Sequence, residues 1–263
     1  MNAMPRLAVI GFGAMAKALI RILSEHAPAI AVGAALMPKH ESPPCGLHVV
    51  QTVRQLIDWR PTLVVECAGH SAIHDHLPAL LGAGIPVVVA SVGALADPSL
   101  RDRLAEASER GGGRVILPSG AIGGVDVLRA AGEHGLTSVT YTGRKPPLAW
   151  LGTPAESFDL DHLRVPTQIF EGSASEAARL YPKNANVTAT IALAGLGFER
   201  TAVRLFADPT IAQNEHEIEA SGAFGTFCIT LRNVPLSDNP KTSLLAALSL
   251  GDAVRRETRL RPF

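Results

Sequence analysis

Over the first 120 residues, short apolar runs take turns with amphipathic stretches. Leu7-Ala8-Val9-Ile10 is strand-like, and the stretch from Ala14 to Leu23 sets Met15, Leu19, Ile22 and Leu23 on one helical face. Further apolar runs follow at Ala29 to Leu36, Thr62 to Val65, Pro86 to Val89 and Arg114 to Leu117. None of them alternates with polar residues, as expected of strands covered on both faces. Before the last run, Asp97-Pro98 supplies an N-cap and a first-turn proline, and Gly111 closes the helix they open. Strands separated by helices require crossovers. The pattern therefore predicts an α/β fold whose first part is a Rossmann-type, doubly wound parallel sheet.

From about residue 136 the texture changes. Leu136 to Gly143, Thr201 to Ala207, Glu215 to Ala220 and Phe224 to Leu231 read as strands of a second, α+β domain with a mostly antiparallel sheet. Helices are expected around Ser175 to Leu180 and Val187 to Ala194. Glu215 to Ala220 alternates cleanly, with the three glutamates on one side and His216, Ile218 and Ala220 on the other. A last helix is predicted from Asn239-Pro240 to about Arg256, with Leu244, Leu245 and Leu248 on its apolar face, returning to the first domain. The expected division is 1–120 with 239–263 for the parallel-sheet domain, and 121–238 for the α+β domain.

Composition narrows the classes of function. The chain has 263 residues, 47% of them apolar and 18% charged, which is enough to build a core. Twenty-four basic residues balance 24 acidic ones without long runs of one sign, so neither a nucleic acid nor a membrane is an expected partner. Cys45, Cys67 and Cys228 are too few and too scattered for a disulfide framework or a zinc ribbon. The longest uncharged apolar stretch, Ile85 to Ala96, is too short to span a bilayer. A cytoplasmic, reducing location is the expectation. His70, His74 and His76 lack an anchored third ligand, and no metal is predicted.

The chemistry starts at Gly11-Phe12-Gly13-Ala14-Met15-Ala16, which fits G-x-G-x-x-[G/A] between the first strand and the first helix. The first glycine permits the tight turn, the second lets backbone approach a pyrophosphate, and the small third residue lets helix pack on strand. Gly11, Gly13, Ala14 and Met15 are the cofactor residues this loop nominates, with phosphates meeting the N–H groups of the helix start. After the second strand no carboxylate appears until Glu41, whereas Lys39 and His40 are placed either to meet a 2′-phosphate or simply to belong to a solvated loop. The cofactor is accordingly NAD or NADP. Glycine-rich loops at Cys67-Ala68-Gly69-His70, Ser91 to Leu95 and Pro118 to Gly124 suit a close approach of the same cofactor.

A dehydrogenase also needs a proton-handling group and a hold on an anionic substrate. Among nine histidines, His216 alone shares the inward face of a strand with apolar neighbours, a place that a satisfied core histidine would occupy too. Arg144-Lys145 follows a strand, and Asn239-Pro240-Lys241-Thr242-Ser243 gathers a helix start, a lysine and two hydroxyls. Ordinary N-capping is the plain alternative for the latter. Asn184 and Asn186 open another helix within reach of a cofactor amide.

Taken together, Gly11 to Ala16, Ser91 to Leu95, Pro118 to Gly124, Asn184-Ala185-Asn186-Val187 and Asn239 to Ser243 resemble the L-aspartate dehydrogenases from about Arg6 to Arg256. The resemblance implies oxidative deamination of L-aspartate to iminoaspartate, which water converts to oxaloacetate and ammonia or which feeds NAD synthesis. It also implies His216 as the catalytic histidine, Ala121 and Asn186 as cofactor contacts, and a homodimer. Lys145, Asn239, Lys241 and Thr242 are then the candidates for holding the substrate carboxylates. The rivals are another two-domain oxidoreductase, of the dihydrodipicolinate reductase or homoserine dehydrogenase type, and a redox sensor that binds nicotinamide without turnover.

Overall fold

The computed structural model describes residues 5–38, 46–236 and 239–258. The chain forms two compact units, 1–118 with 246–263 and 119–245. In the first unit, β1 (Leu7–Ile10), α1 (Ala14–His26), β2 (Val32–Leu36), β3 (His48–Val50), α2 (Val53–Asp58) and β4 (Leu63–Glu66) follow in order. They are continued by α3 (His70–Gly82), β5 (Val87–Val89), α4 (Pro98–Gly111) and β6 (Val115–Ile116). The six strands lie in the order β3-β2-β1-β4-β5-β6, all parallel, which is the Rossmann arrangement. β1, β4 and β5 are buried along their whole length, as apolar runs covered on both faces should be, with Glu66 at the end of β4 their one polar residue.

Asp97 caps α4 by accepting from the Ser99 N–H at 2.9 Å. The helix runs through Gly111, and it is Gly112, at φ +78°, that turns the chain out of it. β3 and α2, of three and six residues, are too short for periodicity to show in the sequence. Thr52 and Gln55 nevertheless form a full capping box at the start of α2, a signature present in the sequence.

In the second unit come α5 (Val125–Gly132), β7 (Leu136–Lys145), β8 (Thr167–Ser173), α6 (Ala174–Leu180), α7 (Ala185–Ala194), β9 (Thr201–Ala207), β10 (Asn214–Gly222) and β11 (Gly225–Asn233). The sheet order is β11-β10-β7-β9-β8, antiparallel throughout except for the parallel pair β7–β9. His216, Ile218 and Ala220 are buried while Glu219 is exposed, so the alternation of β10 sets one face of the sheet inward.

The last helix departs from expectation. Residues 239–243 are a strand, β13 (Asn239–Ser243), paired antiparallel with β12 (Pro235–Leu236). The helix, α8, covers Leu244–Glu257, and Ser243 Oγ accepts from the Leu245 N–H at 3.1 Å. Backbone pairing with β12 has overridden the Asn-Pro start signal. Its buried face is also different: Ala247, Leu250, Gly251, Ala253 and Val254 are covered, whereas Leu248 is exposed. Leu250, Ala253 and Val254 join Leu7, Val9, Leu19, Leu23 and Val65 in the core of the first unit.

Candidate active site

In the first unit the glycine turn is built for an anion. Gly11 stands at φ +81°, and a Cβ there would lie 2.7 Å from Ala68 Cβ and 2.9 Å from Ala68 Cα, so only glycine fits against the loop after β4. Its N–H donates to Leu36 O at 2.9 Å. Gly13 is the N-cap of α1 with no side-chain cap and no acidic residue in the first turn. Chain neighbours aside, a Cβ at Gly13 would find no atom of the described residues within 4 Å, which leaves the space above this helix start for a diphosphate. Ala14 and Met15 form the first turn, and Ala16 is fully buried.

Beside the turn lies a cleft of about 410 Å³ lined by Gly11, Leu36, Met37, Gln51, Ala68 and His76 among others. The described residues that line it include no carboxylate. Lys39 and His40 lie outside the described residues.

One residue that sequence reasoning missed organises the loops at this edge. Glu66, at the end of β4, is fully buried. Its Oε1 accepts from the Ala68 and Gly69 N–H groups, both at 2.7 Å, and from Ser91 Oγ at 3.0 Å, while Oε2 accepts from the Ser91 N–H at 2.9 Å. One carboxylate thereby ties the loop after β4 to the loop after β5. Its neighbour Cys67 has its thiol pushed up by burial and then by the Glu66 charge, which keeps it protonated.

The second unit gathers the other polar candidates. His216 on β10 is 3% exposed, and its Nδ1 lies 2.8 Å from Tyr141 Oη. Burial, and then the charge of Lys145, lower its pKa to about 3, so the imidazole is neutral across the physiological range. Lys145, at the end of β7, donates to Asn184 Oδ1, and its Nζ sits 5.4 Å from the centre of the buried Trp150 ring. Withdrawal from water lowers its pKa to about 8. Two of the predicted residues, His216 and Lys145, are thus brought within electrostatic reach of each other, and Asn184 is the lysine's partner.

Asn186 lies in the first turn of α7, with its carbonyl accepting from Thr190 Oγ1 at 2.9 Å. The Ala121 carbonyl accepts from Asn233 Nδ2 at 2.7 Å, and a Cβ at Gly124, which has φ +72°, would come 2.5 Å from Ile229 Cδ1. The 119–124 loop is therefore held against β11. Asn239, Lys241 and Thr242 lie on β13 and not at a helix start, so the helix-dipole argument for a carboxylate site there no longer applies. Among the described residues, no three His, Cys, Asp or Glu side chains are grouped to hold a metal. Nor, among them, is any helix long and apolar enough to cross a membrane.

Comparison with known proteins matches residues 126–257 to the family described as aspartate dehydrogenase, C-terminal. Residues 11–118 match the NAD-binding domain of homoserine dehydrogenase. The L-aspartate dehydrogenase of Cupriavidus necator is 48% identical over 254 residues, 94% of this chain and 95% of that protein. That of Pseudomonas aeruginosa is 50% identical over 256 residues, again 94% and 95% of the two chains. The crystal structure of aspartate dehydrogenase from Thermotoga maritima superposes with a TM-score of 0.79 at 27% identity, covering 99% of this chain and 100% of that one. A hyperthermophilic archaeal homoserine dehydrogenase in complex with NADPH has a TM-score of 0.59 at 10% identity over 98% of both chains, a likeness of fold alone.

Proposed function

We propose, from the premise that this chain belongs to the L-aspartate dehydrogenase family, that it oxidatively deaminates L-aspartate to iminoaspartate with NAD or NADP. The observation that carries the reading is the buried imidazole of His216, hydrogen-bonded to Tyr141 and within electrostatic reach of Lys145. Nicotinamide, when bound, supplies the acceptor for the hydride leaving the substrate Cα. Gly11 and Gly13 leave room for its diphosphate, Ala14 and Met15 present the helix start, and Ala121 and Asn186 are the contacts assigned to its other half. His216 works at the reacting carbon–nitrogen centre, where it takes the amine proton or polarises the water that attacks the imine. Lys145 holds one substrate carboxylate, and Asn239, Lys241 and Thr242 of β13 are assigned to the other. Holding the reacting groups in register is worth several kcal/mol.

The test is turnover: purified protein with L-aspartate and either cofactor generates reduced nicotinamide. His216→Ala lowers kcat by about 10²–10⁴-fold and leaves cofactor affinity near the wild-type value. Turnover on another amino or hydroxy acid in place of aspartate would favour the homoserine dehydrogenase or dihydrodipicolinate reductase type. Cofactor binding without turnover on any of them would favour a sensor. The iminoaspartate so formed can hydrolyse or enter pyridine nucleotide synthesis. We further read the protein as a cytoplasmic homodimer. The free thiols Cys67 and Cys228 support the location and the exposed apolar residues Leu148, Leu151 and Val165 the dimer, whose mass sedimentation in the ultracentrifuge reads directly.

A further inference from the structure

Tyr141 and His216 are diagonal neighbours across two strands. In the β7–β10 register Tyr141 pairs with Ile218, and His216 pairs with Gly143. Gly143 is two residues beyond Tyr141 and so lies on the same face of β7. A Cβ on Gly143 would stand 2.6 Å from Tyr141 Oη, 3.0 Å from its Cζ and 3.2 Å from Leu205 Cδ2. The glycine is therefore a notch that the phenol fills, lying along its own strand until the hydroxyl meets Nδ1 of His216 at 2.8 Å. The two rings stack at 6.0 Å with 23° between their planes, and both residues are buried.

The direction of this hydrogen bond follows from satisfaction. Among the described residues, Nδ1 of His216 is the one hydrogen-bond partner of the Tyr141 hydroxyl. Were Nδ1 the donor, the phenolic proton would be left without an acceptor in a buried place, at a cost of about 1–3 kcal/mol. The phenol donates, then, and the single proton of the neutral imidazole rides on Nε2. Among the described residues no buried side-chain nitrogen or oxygen lacks a partner. Nε2 has no hydrogen-bond partner among the described residues, so it is the atom of the ring left open to a ligand.

We propose that Tyr141, seated in the Gly143 notch, is a positioning residue that holds His216 as the Nε2–H tautomer, so that His216 meets the ligand as a hydrogen-bond donor. Within the functional reading on which this rests, this tautomer sets Nε2 as a donor to an oxygen at the reacting centre, so that neither the amine proton nor a proton of the attacking water is taken at that nitrogen in the resting state.

The test is nitrogen NMR of ¹⁵N-histidine-labelled full-length protein at neutral pH without substrate, with His216→Ala identifying the resonances. Wild type should show an unprotonated, pyridine-like Nδ1 and a protonated, pyrrole-like Nε2. In Tyr141→Phe this separation should collapse towards a tautomer mixture, and kcat on L-aspartate should fall about 10-fold, equivalent to ~1.4 kcal/mol, with cofactor KM unchanged. Gly143→Ala, which displaces the phenol and leaves it intact, should move the same resonances the same way if Tyr141→Phe does not fold. A protonated Nδ1 in the wild type overturns the proposal, as does an unaltered tautomer or undiminished kcat in the variants. Because the resonances are read on the resting protein, a failure to oxidise aspartate would count against the functional reading and not against the tautomer.

Discussion

The two glycines of the first turn should separate folding from binding. Gly13 has φ −78° and ψ −166°, a backbone conformation that alanine adopts freely, and its added methyl would meet, chain neighbours aside, no atom of the described residues within 4 Å. Gly13→Ala therefore loses only the difference between glycine and alanine at an N-cap, about 0.5–1 kcal/mol, or ~1–4 °C in Tm for a chain of this size. The methyl, however, stands where a diphosphate must approach the N–H groups of α1. Loss of one hydrogen bond to a charged group costs about 1.5–3 kcal/mol, a rise of roughly 10–100-fold in cofactor Kd. Gly11→Ala is the contrasting case. It combines a residue at φ +81° with a contact of 2.9 Å to backbone Cα of Ala68, and these together cost about 3–5 kcal/mol. Its Tm should drop by ~6–20 °C and its affinity should fall as well. Titration calorimetry with oxidised cofactor, beside thermal scans of both variants, reads the two quantities separately. A Gly13→Ala protein with wild-type cofactor Kd would show that no phosphate crosses this helix start.

Three further outcomes follow from the buried polar groups. Lys145→Met should raise KM for L-aspartate about 10–100-fold, and the wild-type KM should climb above about pH 8 as Lys145 loses its proton, a rise absent from the variant; initial rates across pH test both. Glu66→Gln puts an amide NH₂ against N–H and O–H donors and should lose about 2–4 kcal/mol, seen as a Tm lower by ~5–15 °C; an unchanged Tm would mean that the two loops do not depend on the carboxylate. His216 has its folded pKa lowered from 6.5 to about 3, so below pH 6.5 the unfolded chain takes up the proton first and stability falls as pH falls towards 3. Between pH 7 and 5 the wild type should lose about 2 kcal/mol more than His216→Asn in urea unfolding, and equal losses would contradict the burial of a neutral ring.

What the sequence made legible was whatever rests on local spacing. Apolar runs marked β1, β4 and β5, and the period-two alternation of β10 turned His216 inward before any neighbour was known. What stayed hidden depends on register between distant segments. Tyr141 reads as an ordinary strand residue until pairing sets Gly143 opposite His216. Glu66 reads as the polar end of an apolar run until the loop at Ser91 arrives to meet it, 25 residues later. At 239–243 the local signal pointed the wrong way, because the dipeptide that begins many helices here pairs with Pro235 and Leu236.

The chain leaves the first unit at Pro118 and comes back only at Ala246. Leu250 and Val254 are part of that unit's core, and Gly251 lets α8 draw so near that a Cβ would stand 3.0 Å from Ile22 Cγ2. On the ribosome, the contiguous segment 119–245 can therefore finish its tertiary structure while the nucleotide-gripping half waits, its hydrophobic floor still unsealed. That half becomes a complete protein only after residue 254 has emerged from the exit tunnel, so a nascent chain stalled before that point would carry a finished insert on an open host.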